Sequence, residues 1–171
     1  VNIDFDLTTT LSELAHELTQ KGWSMVSAES CTGGLVAAQC TELSGSSQWF
    51  ERGFVTYSNA AKSESLGVDS QLIAEHGAVS EAVARAMALG ALENSKAQVS
   101  VSITGVAGPL GGTALKPVGC VWFAWGVKRP LDGFEPEIFA ERQDFLGDRS
   151  QIRAQAVVHC LNSLLQVIKT H

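Results

Sequence analysis

Ser27-Ala28-Glu29-Ser30-Cys31-Thr32-Gly33-Gly34-Leu35 is the stretch on which the fold turns. It follows an apolar run, Trp23 to Ala28, that reads as a buried strand, and it opens a helical pattern running to about Leu43. A strand, a sharp turn carrying hydroxyls, and paired glycines at a helix start leave backbone N–H groups directed at whatever lies in front of them. That arrangement suits an anion or a developing oxyanion. Ser30 and Cys31 are the nucleophile candidates. The plainer reading has Thr32 capping the helix and the glycines only allowing close packing on the sheet; the stretch alone leaves both open.

Upstream, Leu11, Leu14, Ala15 and Leu18 recur at helical spacing, Thr10 stands three before Glu13 as in a capping box, and Gly22 reads as the stop. Downstream, Ser44 to Ser47 breaks the helix, and Gly53-Phe54-Val55-Thr56-Tyr57 reads as a second strand. Ser58-Asn59 then caps a helix containing Lys62 and stopping at Gly67, and a short helix over Ser70 to His76 ends at Gly77. Ser80 caps a longer helix to about Asn94. Val99 to Thr104 is a third strand, left by the glycine-rich loop Thr104-Gly105-Val106-Ala107-Gly108-Pro109-Leu110-Gly111-Gly112. Val118 to Val127 is a long apolar strand; Arg129 to Gly133 signals a turn into a returning strand, Glu137 to Phe145. Gly147-Asp148-Arg149-Ser150 caps a last helix with a broad apolar stripe from Ile152 to Ile168.

Strands alternating with helices early and two consecutive strands late predict a three-layer α/β/α sandwich in a single domain, its mixed sheet mainly parallel with an antiparallel edge. In such sheets ligands bind outside the carboxyl ends of the parallel strands. Three loops leave those ends, at Ser30, after Tyr57 and at Thr104. Their convergence predicts one site.

The 171 residues, 45% hydrophobic and 18% charged, describe an ordinary globular domain. A net charge of -6 argues against a general nucleic-acid or anionic-membrane surface. No signal peptide is visible at Val1 to Leu7, and no apolar run is long enough to span a bilayer, so the cytoplasm is the expected location. The 4 cysteines form no Cys-x-x-Cys pair, which disfavours a zinc site, and a domain of this size needs no disulfide staples; the 4 histidines show no His-Glu-x-x-His spacing and read as structural or solvent-facing.

No Gly-x-Ser-x-Gly elbow surrounds Ser30 and no histidine lies on a converging loop, which disfavours a Ser-His-Asp triad. The basic residue on those loops' early turns is Lys62. A lysine can act as base when burial lowers its pKa, and Tyr57 nearby could relay or orient the proton. On spacing alone, the ordinary readings are favoured: Lys62 as a solvated helix residue, Tyr57 as a core aromatic. The Thr104 loop matches neither a Walker motif nor a dinucleotide fingerprint. Arg149 is a cation at a helix start, where a structural cation is electrostatically disfavoured, so anion binding is a natural role for it. Glu29 reads either as a charge partner of the site or as exposed.

Taken together the motifs resemble a known family. Ala28-Glu29-Ser30-Cys31-Thr32-Gly33-Gly34, Gly53 through Lys62, His76-Gly77-Ala78-Val79-Ser80, Thr104 through Pro109, Lys116-Pro117-Val118-Gly119 and Gly147-Asp148-Arg149 occur in that order. The chain is similar to the CinA C-terminal domain family, over about Leu11 to Leu165. The resemblance implies an α/β/α fold, hydrolysis of the carboxamide of nicotinamide mononucleotide to nicotinate mononucleotide and ammonia, no metal or other cofactor, and a homodimer. It implies Ser30 as nucleophile, Lys62 as base and Tyr57 as an assisting group. It implies that Thr32, Gly33, Gly34, Asn59, Thr104, Gly105, Ala107, Gly108 and Arg149 hold the substrate. The chain departs from the family pattern at Leu110, where aspartate or glycine is usual, and in the less polar Thr113-Ala114-Leu115.

Overall fold

The computed structural model describes residues 5–128 and 135–171. In chain order the elements are α1 (Phe5–Lys21), β1 (Met25–Glu29), α2 (Leu35–Glu42), a 3-10 turn (Ser46–Gln48), β2 (Phe50–Val55), α3 (Asn59–Leu66), α4 (Ser70–His76), α5 (Glu81–Glu93), β3 (Val99–Gly105), β4 (Cys120–Val127), β5 (Glu137–Asp144) and α6 (Arg149–Thr170). The expected turn at Arg129 to Gly133 lies outside the described residues.

The strands form one sheet in the order β2-β1-β3-β4-β5. β1 pairs in parallel with both β2 and β3, while β4 runs antiparallel to β3 and to β5. The parallel start and the antiparallel edge are as the sequence predicts. β1 is buried at every position, as expected of a central strand covered on both faces.

On one face, the stripe Leu7, Leu11, Leu14 and Leu18 of α1 packs with Ile152, Val157, Leu161, Leu164 and Ile168 of α6 and with Val36 and Cys40 of α2. Each such large aliphatic side chain contributes roughly 1.5–3 kcal/mol on burial. On the other face α3, α4 and α5 cover Val26 and Ala28 through Leu66, Ile73, Val83, Met87 and Ala91. Two serines in buried β3 look misplaced by polarity, but Ser100 and Ser102 donate to the carbonyls of Ala88 and Ala84 at 2.8 and 2.7 Å. Those bonds satisfy the hydroxyls and draw the alanine face of α5 close to the sheet. These two layers of helix and the sheet between them make an α/β/α sandwich.

Local boundaries differ from the periodic reading for identifiable reasons. Thr10 is no cap: it lies inside α1 (Phe5–Lys21), and its hydroxyl donates to Asn162 Oδ1 at 2.6 Å, joining α1 to α6. α1 closes in a Schellman motif, with Trp23 N donating to Leu18 O and Gly22 N to Thr19 O, so Trp23 completes the helix end and β1 starts only at Met25. The α2 helix begins at Leu35 rather than at Thr32, because Gly33 and Gly34 both take positive φ (61° and 97°) and hold the chain in a turn. Further along, the predicted caps are present. Ser58, Ser80 and Asp148 cap α3, α5 and α6, the last in a reciprocal capping box with Gln151.

Candidate active site

β1 ends at Glu29 with β2 on one side and β3 on the other, so the loops leaving all three strands border the same ground. Ser30 sits at the head of that ground, its N–H held by Ile103 O of β3 at 2.9 Å. The first turn of α3 brings Lys62 beneath it. Lys62 is 1% exposed, and its Nζ lies 3.1 Å from Ser30 Oγ and 2.9 Å from the carbonyl oxygen of Thr56. Burial lowers the Lys62 pKa, with the neighbouring Cys31 acting in the opposite direction. Both ordinary sequence readings of this region are therefore overturned: Lys62 is buried, not solvated, and Tyr57 is 60% exposed, not a core aromatic. Local spacing cannot show either fact, since the groups around Lys62 include Ser30, 32 residues back along the chain, and the helix α5 that α3 packs against.

Cys31, the other nucleophile candidate, is disfavoured by its surroundings. Burial pushes its thiol up to about 12, so almost no thiolate exists near neutral pH. Its neighbour Ser30 has the amine instead.

Glu29 carries the largest surprise. Its side chain is fully buried, and its carboxylate accepts the N–H groups of Gly34, Val36 and Ala37 at 2.9, 3.1 and 2.9 Å, and the Ser27 hydroxyl at 3.3 Å. The start of α2 is thus capped from the preceding strand, five residues back. Thr32 does not cap it, and the helix amides expected to face an external anion are already filled by the protein's own carboxylate. A carboxylate at a helix start was a readable signal; which carboxylate reached it depended on the turn. Glu29→Gln leaves one amide group facing backbone donors, and is expected to destabilise the fold by about 2–3 kcal/mol. Urea unfolding of the two proteins measures it.

What remains of the turn is selective. Gly33 N donates to Ser30 O and Leu35 N to Thr32 O, but among the described residues no acceptor on another residue takes the N–H of Cys31 or of Thr32. The Thr32 and Thr56 hydroxyls nearby are also buried without a partner.

The final helix closes the site from the side. Arg149, its first residue, donates to Gly108 O at 2.8 Å and to the Tyr57 hydroxyl at 3.0 Å, bridging the loops after β3 and β2. No described hydrogen bond joins Tyr57 to Ser30 or Lys62. Arg153, one turn further along α6, was missed in the sequence. It donates to the carbonyls of Cys31 and Thr32 at 3.1 and 2.9 Å. Its i+4 spacing from Arg149 was the available signal.

The remaining sequence candidates are placed as follows. The Thr104 hydroxyl is buried and donates to Ala78 O at 2.8 Å, tying the β3 end to the α4–α5 connection. Gly105 packs on β4, where a Cβ would lie 2.7 Å from Val121 Cγ2. Gly108 takes φ 77° against Val118, and Ala107 is buried. Asn59 heads α3 and lines a groove with Ser63, Ser70 and Ile73. No group of His, Cys, Asp or Glu placed to hold a metal ion occurs among the described residues, and no helix there is long and apolar enough to cross a membrane. His159 packs its ring among Phe123, Trp125 and Phe145, and no described hydrogen bond joins it to Ser30 or Lys62.

Comparison with known proteins adds a separate line. The CinA C-terminal domain profile matches residues 7–168. A protein of Enterobacter agglomerans named nicotinamide-nucleotide amidohydrolase PncC is 51% identical over 154 residues, covering 90% of each chain. Its namesake in Escherichia coli K12 is 47% identical over 163 residues, covering 95% of each. Among solved structures, the competence/damage inducible protein CihA of Agrobacterium tumefaciens superposes with a TM-score of 0.90 at 38% identity, covering 96% of each chain.

Proposed function

Because this chain belongs to the CinA C-terminal domain family, we propose that it is a nicotinamide-nucleotide amidohydrolase working through Ser30 and Lys62. The observation that carries the reading is the buried Lys62 amine 3.1 Å from the Ser30 hydroxyl. The relatives' names give the substrate class, a nicotinamide nucleotide, and the reading takes it to be nicotinamide mononucleotide.

Neutral Lys62 takes the Ser30 proton while its N–H stays on Thr56 O, which keeps the lone pair aimed at Ser30. The Ser30 oxygen attacks the carboxamide carbon, and the carbonyl oxygen becomes an oxyanion beside the unpartnered N–H groups of Cys31 and Thr32. Lys62 passes its proton to the amide nitrogen, the C–N bond breaks and ammonia leaves. Water then attacks the acyl-Ser30 ester, Lys62 takes the water's proton, and Ser30 leaves as the alcohol by recovering it. Arg149 and Tyr57, joined to each other at the exposed rim, serve the nucleotide's anionic part rather than the proton relay. The Gly33-Gly34 turn and the Thr104 to Gly108 loop form the walls.

Ammonia release from nicotinamide mononucleotide, with a chelator present, tests the reading. Since only the neutral amine can accept the Ser30 proton, kcat/KM is expected to rise with pH along a limb whose midpoint lies below the usual lysine value near 10.4. Binding of the mononucleotide without any ammonia would leave a nucleotide-binding module and defeat the proposal. A limb centred at the ordinary lysine value would remove Lys62 as the base.

A further inference from the structure

Arg153 has no role in the chemistry just described, yet it reaches across from α6 to the one turn on which that chemistry depends. Its Nε donates to the carbonyl oxygen of Cys31 and its Nη2 to that of Thr32. The Cys31–Thr32 peptide is trans, since the one cis bond among the described residues is Gly108–Pro109. In a trans peptide the N–H points opposite to the C=O. A guanidinium gripping Cys31 O therefore turns the Thr32 N–H away from itself and holds it there. It also draws electron density toward the oxygen, which makes that N–H a stronger donor.

The rest of the turn is arranged to the same effect. Glu29 collects the N–H groups of Gly34, Val36 and Ala37, and Gly33 N is spent on Ser30 O. Among the described residues, Cys31 N and Thr32 N are the two N–H groups from Ser30 to Ala38 that no other residue accepts. Both belong to peptides whose carbonyl oxygen is already held, the first by Gly33 N and the second by Arg153. A positive charge on the carbonyl side and a negative charge on the helix side leave two adjacent donors as the free ones.

We propose that Arg153 is a positioning residue for the reaction, orienting and polarising the Thr32 N–H that stabilises the oxyanion. The inference rests on the amidohydrolase reading. A residue that served only to tether α6 would lower stability without touching the energetics of charge development at the carbonyl oxygen.

The experiment compares wild type, Arg153→Met and Arg153→Lys on nicotinamide mononucleotide and on its thioamide analogue, with thermal melts of each protein. Sulfur accepts hydrogen bonds poorly, so the oxo-to-thio ratio of kcat reports how much the site gains from donors at that atom. Deleting an oxyanion donor outright costs about 10²–10³ in kcat; weakening one is expected to cost roughly 10- to 100-fold in Arg153→Met, with KM within about twofold. The oxo-to-thio ratio should fall with it. Arg153→Lys, able to reach one carbonyl with one ammonium, should recover part of both.

An unchanged kcat in Arg153→Met overturns the proposal. So does a loss in which kcat and melting temperature fall together while the oxo-to-thio ratio stays at the wild-type value. If Arg153→Met does not fold, the ratio in Arg153→Lys decides alone: a lowered ratio supports the role, an unchanged one rejects it. Failure of the functional reading is seen separately and first, as a wild type that releases no ammonia from the mononucleotide, and it takes this inference with it.

Discussion

Ser30→Ala is expected to fold as the wild type does and to lose on the order of 10⁴-fold or more of kcat on nicotinamide mononucleotide. The size follows from the absence of a substitute. The next side chain able to attack, Cys31, holds its proton because burial pushes its thiol up to about 12. Folding should survive because Ser30 is held by its backbone N–H on Ile103 O, and its side chain is a single hydroxyl. The Lys62 amine loses one contact and keeps Thr56 O. Ammonia release by the two proteins, alongside near-ultraviolet circular dichroism, measures the effect. The informative comparison is Cys31→Ala, which should retain most activity; if it is the dead variant and Ser30→Ala is active, the nucleophile is the thiol.

Lys62→Met should cost roughly 10²–10⁴-fold in kcat, the range of a single general base, and flatten the basic limb of the pH profile. It has a second, independent signature in stability. The folded-state pKa of Lys62 lies below its unfolded value, because burial penalises the ammonium. Between those two values the unfolded chain binds more protons than the folded one, so stability rises with pH. The cost of burying the charge is full below the folded pKa and fades as pH climbs toward the unfolded value near 10.4. Lys62→Met removes that dependence. Urea unfolding across pH should show a wild type that gains stability over this window relative to Lys62→Met. A difference that does not change with pH would mean the amine titrates like an exposed one, and the base assignment would fall.

Glu29 and Lys62 mark the boundary of what could be read from residues in a row. Periodicity and caps located the helices because they are local: Leu11 through Leu18, Ser58, Ser80 and Asp148 act within a turn or two of themselves. Boundaries failed where a helix end consumed residues that looked like strand, as the Schellman closure does at Trp23. Six ordered motif blocks pointed to the family, and the profile match over residues 7–168 bears that out. The predicted convergence of three loops also holds, since β1 lies between β2 and β3.

By itself, then, the sequence determined the α/β/α layering, the parallel start of the sheet, the family, and Ser30 and Lys62 as candidates. Those depend on composition, period and motif order, which are properties of the chain. Tertiary structure alone decided that Lys62 is buried beside Ser30, that Tyr57 stands exposed against Arg149, that Glu29 caps α2, and that Arg153 grips the turn. Arg153 is 121 residues from Thr32 along the chain. Burial and charge-assisted contact are set by what folds against a residue from far away, and no local pattern records that.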